Sequence, residues 1–152
     1  MKNKLTFFFS ILLLFLMNCG YQPIYSSKVQ SFSIGQINID GDKDLVNYFE
    51  TQLKRFQNID EESYDLDIKL VSTKTTISKD KKGNPSIYGL TISADIIYKQ
   101  TGGNEKFKNF NQNTTYNNED NKFDLKRYET NLEKQLINKI IEDFIFFTQS
   151  MK

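Results

Sequence analysis

The chain has no histidine and no tryptophan, and its only cysteine is Cys19. That inventory excludes a Ser-His-Asp triad, a Cys/His metal site, a second thiol and any disulfide within one chain. Acid–base chemistry would have to rest on Asp/Glu pairs, Lys or Tyr. No catalytic role is expected, and neither a metal nor any other cofactor. An excess of one charge is missing too, since 20 Lys+Arg stand against 19 Asp+Glu for a net +1. Residues 1–18 hold Lys2 and Lys4 and no acid, so without them the balance is 18 against 19, or −1. Such a chain offers no electrostatic footprint for a nucleic-acid duplex, and nucleic acid is not an expected partner. Length agrees with one domain, because 152 residues leave room for a single core once a leader is set aside.

Long apolar runs are confined to the start. Residues 5–17 contain only two polar side chains, Thr6 and Ser10, behind the positive pair Lys2 and Lys4. Thirteen residues suit the apolar centre of a signal peptide but fall short of the roughly 20 needed to span a bilayer as a helix. Leu16-Met17-Asn18-Cys19-Gly20 then resembles a lipobox, with Leu16 at the aliphatic position and Asn18 where Gly, Ala or Ser is usual. The resemblance implies a diacylglycerol thioether on Cys19, cleavage before it, and acylation of the new amino terminus. Two or more acyl chains hold a membrane stably where one does so marginally, at about 0.8 kcal/mol per buried CH₂. Asp directly after the lipidated cysteine favours inner-membrane retention, and Gly20 lacks that signal. The expected location is the outer membrane, with the body facing the periplasm.

Residues 20–31 (GYQPIYSSKVQS) have no periodicity and read as a tether, leaving 32–149 as a single α+β domain. Residues 31–39 are β-like, but Ile37 and Ile39 are out of phase with Phe32 and Ile34, and Gly35 between them marks a bulge or bend. Asp40-Gly41-Asp42 supplies a turn and an N-cap for a helix over about 43–57, with Leu45, Tyr48, Phe49, Leu53 and Phe56 at helical spacing. From Tyr64 the period becomes two: Tyr64, Leu66, Ile68 and Leu70 alternate with Asp65, Asp67 and Lys69, and the strand continues through Ile77. A turn-rich loop, 78–85, leads into a second strand. Tyr88, Leu90, Ile92, Ala94, Ile96 and Tyr98 share one of its faces, so the two strands form an antiparallel hairpin. Gly102-Gly103 makes another turn before an Asn- and Thr-rich edge strand over about 106–116. A last helix spans about 124–148, capped by Asn121 or Asp124. Its apolar stripe is Leu125, Tyr128, Leu132, Leu136, Ile140, Phe144 and Phe147, with a second ridge of Ile137, Ile141 and Ile145. The expected architecture is β-α-β-β-β-α, with two helices on one face of a four-stranded mixed or antiparallel sheet and the other face wet or bound to something.

Together with the opening Cys19-Gly20-Tyr21-Gln22-Pro23-Ile24-Tyr25, this order is similar to the lipopolysaccharide-assembly lipoprotein family (LptE, formerly rare lipoprotein B), in its alphaproteobacterial form. The resemblance covers the whole mature chain. It implies a lipoprotein that sits inside a large outer-membrane β-barrel of LptD type, assists its assembly, plugs it, and helps lipopolysaccharide reach the outer leaflet. The expected partners are that barrel, lipopolysaccharide and the outer membrane itself.

Lys79, Lys81 and Lys82 at the hairpin tip are the candidate contacts to lipopolysaccharide phosphates or to the barrel; a solvated loop is the simpler reading of them. Lys126 and Arg127 read as surface charge. The Ile137–Ile141–Ile145 ridge reads as helix-on-sheet packing ahead of a partner surface. Asp65 and Asp67 read as a wet sheet face. Two other classes stay open: an accessory lipoprotein of another envelope complex, and a hydrolase built on converging carboxylates.

Overall fold

Four strands and two helices follow one another in the order β-α-β-β-β-α. The computed structural model describes residues 33–56, 63–100 and 102–150. Ser31–Lys152 forms one compact unit; Cys19, the tether and Phe32 lie outside the described residues.

Strand β1 (Ser33–Asp40) pairs parallel with β2 (Ser63–Lys79), and their register jumps between Ile34 and Ile37. This is the bulge expected at Gly35. It brings Ile34, Ile37 and Ile39 to the core side despite their odd spacing, with Ile34 fully buried. A Cβ on Gly35 would lie 2.7 Å from Asp65 Oδ1, the oxygen that accepts a hydrogen bond from the Gln36 N–H at 2.9 Å. Parallel strands need a crossover, and helix α1 (Lys43–Leu53) provides it. Asp42 caps that helix, its Oδ1 accepting from the Asp44 and Leu45 N–H groups at 3.0 and 3.4 Å. The helix buries Leu45, Phe49 and Leu53, then tightens into a 3-10 turn, Lys54–Phe56, so its α-helical part is shorter than expected.

The hairpin is the spine of the sheet. β2 pairs antiparallel with β3 (Pro85–Gln100), and β3 with β4 (Lys106–Asn117), giving a mixed sheet in the order β1-β2-β3-β4. Helix α2 (Lys122–Gln149) begins two residues before the expected start. Asn121, the first of the two candidate caps, takes the role by accepting from the Phe123 and Asp124 N–H groups. Both helices bury their apolar residues with one face of the sheet, around Phe49, Ile92, Ile96, Ile137, Ile140 and Phe144. Phe110 meets Phe144 and Phe147 edge-on at 5.8 and 5.9 Å. The ridge Ile137–Ile141–Ile145 is buried here, as packing required. Tyr128 departs from the expected stripe at 45% exposed, its ring edge-on to Tyr116 at 6.0 Å.

Among the described residues no helix covers the opposite face. Register places Val71, Ser93 and Asn111 in one row across it, Thr73, Thr91 and Asn113 in the next, and Thr75, Gly89 and Thr115 in a third. The alternation in the sequence thus separates an oily face from a mixed one, with hydroxyls and amides in its central rows, Asp65, Asp67, Asp95 and Lys99 toward one end, and the exposed Val71, Ile97 and Phe107 among them.

Candidate functional site

The hairpin tip is a rigid turn built around Asp80. Its Oδ1 accepts from the Lys82 and Asn84 N–H groups at 2.8 Å each, and its Oδ2 from the Asn84 side-chain amide at 3.3 Å. The backbone closes the turn through Asp80 N–H to Asn84 O (2.8 Å) and Gly83 N–H to Asp80 O (3.0 Å), with Gly83 at φ +86°. The backbone hydrogen bond from Asn84, ahead of the other donors, holds the Asp80 carboxyl below the ordinary carboxylate range. Asp80 is therefore occupied with its own loop. Lys79, Lys81 and Lys82 are exposed, and among the described residues none of them has an ion pair. The structure brings the three candidate lysines together on one tip, with three positive charges facing water.

Behind the tip lies a cluster that sequence reasoning missed. Glu129 of α2 accepts from Lys74 of β2, and from the Tyr116 hydroxyl of β4 at 2.7 Å. The Lys74 ammonium stands 3.9 Å from the centre of the Tyr88 ring, whose centroid is 5.6 Å from that of Tyr116. One turn further along α2, Glu133 accepts from the Ser72 hydroxyl at 3.2 Å. Burial would by itself raise the Glu129 carboxyl. The hydrogen bonds from Lys74 and Tyr116 and the charges of Lys74 and Lys126 outweigh it, so the group is held below its ordinary range. Tyr116 is pushed up by burial first and by Glu129 second. The available signal was parity: Ser72 and Lys74 continue the series Leu66, Ile68, Leu70 on the helix side of β2. The cluster clamps β2, β4 and α2 together.

The remaining candidates resolve as structure. Asp65 is bound to the Gln36 N–H, and Asp67 accepts from the Asn38 amide at 3.1 Å, so both stitch β1 to β2 on the open face. They line a groove of about 450 Å³ with Gln36, Asn38, Ile97 and Lys99. Arg127 pairs with Asp124 one helical turn away at 3.1 Å, and Lys126 is exposed. Asp80 and Glu129 are both held toward the ionised form, and they line neither that groove nor a second one beside Tyr48, Leu70 and Lys126. Among the described residues no cluster of three or more His, Cys, Asp or Glu side chains could hold a metal ion, and no helix is long and apolar enough to cross a membrane.

These features define a class before any particular relative: an α+β body with two helices on one sheet face, an open polar face opposite, and a basic hairpin tip. Solved structures share that fold. The rare lipoprotein B of Shewanella oneidensis matches with a TM-score of 0.57 at 12% identity, over 77% of this chain and 98% of that one. A minor lipoprotein of Acinetobacter baumannii matches with a TM-score of 0.55, also at 12% identity, over 72% and 85%. No family model and no curated protein matches the chain. At that identity the fold is what is shared, and it is the rare lipoprotein B fold that the sequence resembles.

Proposed function

We propose that this chain is an outer-membrane lipoprotein of the LptE type. Cys19 carries its lipid anchor, and its body fills the lumen of a lipopolysaccharide-transport β-barrel, assisting that barrel's assembly and the passage of lipopolysaccharide to the outer leaflet. The observation that carries the reading is the fold match to rare lipoprotein B over nearly the whole of that protein. Physical fit supports it. A wide barrel encloses an aqueous lumen, and the central rows of Thr, Ser and Asn on the open face can remain hydrated or bond to polar wall residues, while Asp65, Asp67 and Asp95 on the same face already accept hydrogen bonds from Gln36, Asn38 and Asn109.

The first test is affinity capture of the full chain from the envelope of its own cell. A lipopolysaccharide-transport barrel should come down with it, and recovery of other transport or assembly machinery alone would contradict the reading. At the tip, replacing Lys79, Lys81 and Lys82 together by Ser removes three exposed point charges, each worth about 0.5–1 kcal/mol toward a phosphate. Lipopolysaccharide retention should fall about tenfold or more, while folding stability stays within about 0.5 kcal/mol of the parent. Unchanged retention would return the tip to the status of a solvated loop.

A further inference from the structure

Among the described residues β4 is the outer strand of the sheet, hydrogen-bonded to β3 alone. The Asn118 N–H donates to Ser86 O at 2.9 Å, and the β3–β4 ladder runs back from there without a register shift. Antiparallel ladders alternate bonded and unbonded pairs. The even-numbered residues of β4 therefore turn their N–H groups toward β3, and Asn109, Asn111, Asn113 and Thr115 present N–H and C=O outward. The same four side chains lie on the open face. No residue from Asn109 to Asn118 carries a charge, so this stretch lacks the charged or proline residues with which exposed edges commonly refuse partners. Lys106 and Lys108 guard one end only.

We propose that this edge pairs antiparallel with β4 of a second copy of the chain, on a twofold axis through Asn111. Three observations select that partner and that register. Asn111 presents both backbone groups outward, so on the axis it exchanges two hydrogen bonds with its own copy. Around it Asn109 falls opposite Asn113 in both directions. A side-chain amide is its own complement, with donor and acceptor together; Asn109 already donates to Asp95 at 2.7 Å, which leaves its oxygen free to accept. Finally, Lys106 and Lys108 meet Tyr116 and Thr114 of the second copy, and the two lysine pairs lie at opposite ends. Parallel pairing would stack them. The product is an eight-stranded sheet with the two open faces side by side. The pairing concerns the chain outside any barrel and does not depend on the barrel reading.

The test uses the body Ser31–Lys152, a compact unit that contains every core residue described and lacks Cys19. Sedimentation equilibrium should give a mass rising to twice the monomer with concentration. Asn111→Pro should abolish the dimer and leave the circular dichroism of the monomer intact, because the N–H it removes bonds nothing within one copy. Asn111→Lys, which sets two ammonium groups against each other on the axis, keeps the test valid if the proline variant folds poorly. Asn111→Cys, as the only thiol, should be joined into a dimer by a short bis-maleimide, and Ile77→Cys on the opposite edge should not. A monomer at every concentration would overturn the proposal, as would a dimer that survives both Asn111→Pro and Asn111→Lys.

Discussion

Glu129 accepts from Lys74 and Tyr116 with a side chain only 13% exposed, so removing its carboxylate strands two donors at the root of the hairpin tip. Glu129→Ala should cost about 1–3 kcal/mol in urea unfolding. Lys74→Met should cost less, because that ammonium is 40% exposed and part of its attraction is screened by water. The pH dependence has a definite sign. The folded carboxyl lies below its unfolded value of 4.5, so its contribution is fully present above that value and is lost as pH falls through the folded one. Unfolding followed from neutral to acid should show the parent losing stability below about pH 4.5 and Glu129→Ala losing less of it. Tyr116 works in reverse. Its contribution is present below its unfolded value of 10.0 and fades as pH rises beyond it.

At the scale of elements, the corner between β1 and α1 leaves no room for a side chain. Gly41 has φ +149°, and a Cβ there would lie 2.7 Å from the Leu70 carbonyl oxygen, a backbone atom that cannot swing aside. Gly41→Ala should destabilise by about 2–4 kcal/mol, against about 1 kcal/mol for Asp42→Ala, which removes only the cap. Thermal unfolding of the two variants separates them. Elements with strong periodicity were legible in the sequence: the alternation from Tyr64 and from Tyr88 located the hairpin, the apolar stripe located α2, and Gly35 located the bulge. Ends were less legible, because Asn121 and Asp124 are both good caps and only the fold chooses between them. The Lys74–Glu129–Tyr116 cluster was hidden because a lysine in a strand reads as solvent-facing. Its partners come from elements 42 and 55 residues further along the chain, at Tyr116 and Glu129. The candidate lysines were legible as a group, since a turn-rich loop between two long strands must be a tip; what they touch is not written in their spacing.

The described body is two-faced, with both helices on one side of a four-stranded sheet and, among the described residues, a mostly polar face on the other that no helix covers. A nearly balanced charge, +1 over the full chain, gives it no strong field of its own, so association with a partner should depend on shape and hydrogen bonding more than on salt. A body that fills a lumen touches its partner on several sides at once, whereas a body docked outside touches it on one. Photo-crosslinking groups at Thr73 on the open face, at Lys139 on the outer side of α2 and at Lys81 on the tip, introduced singly in the native envelope, therefore address the proposed role most directly. All three positions should give adducts with one and the same lipopolysaccharide-transport barrel. Adducts from Lys81 alone, or from any of the three to an unrelated protein and never to that barrel, would contradict a place inside it.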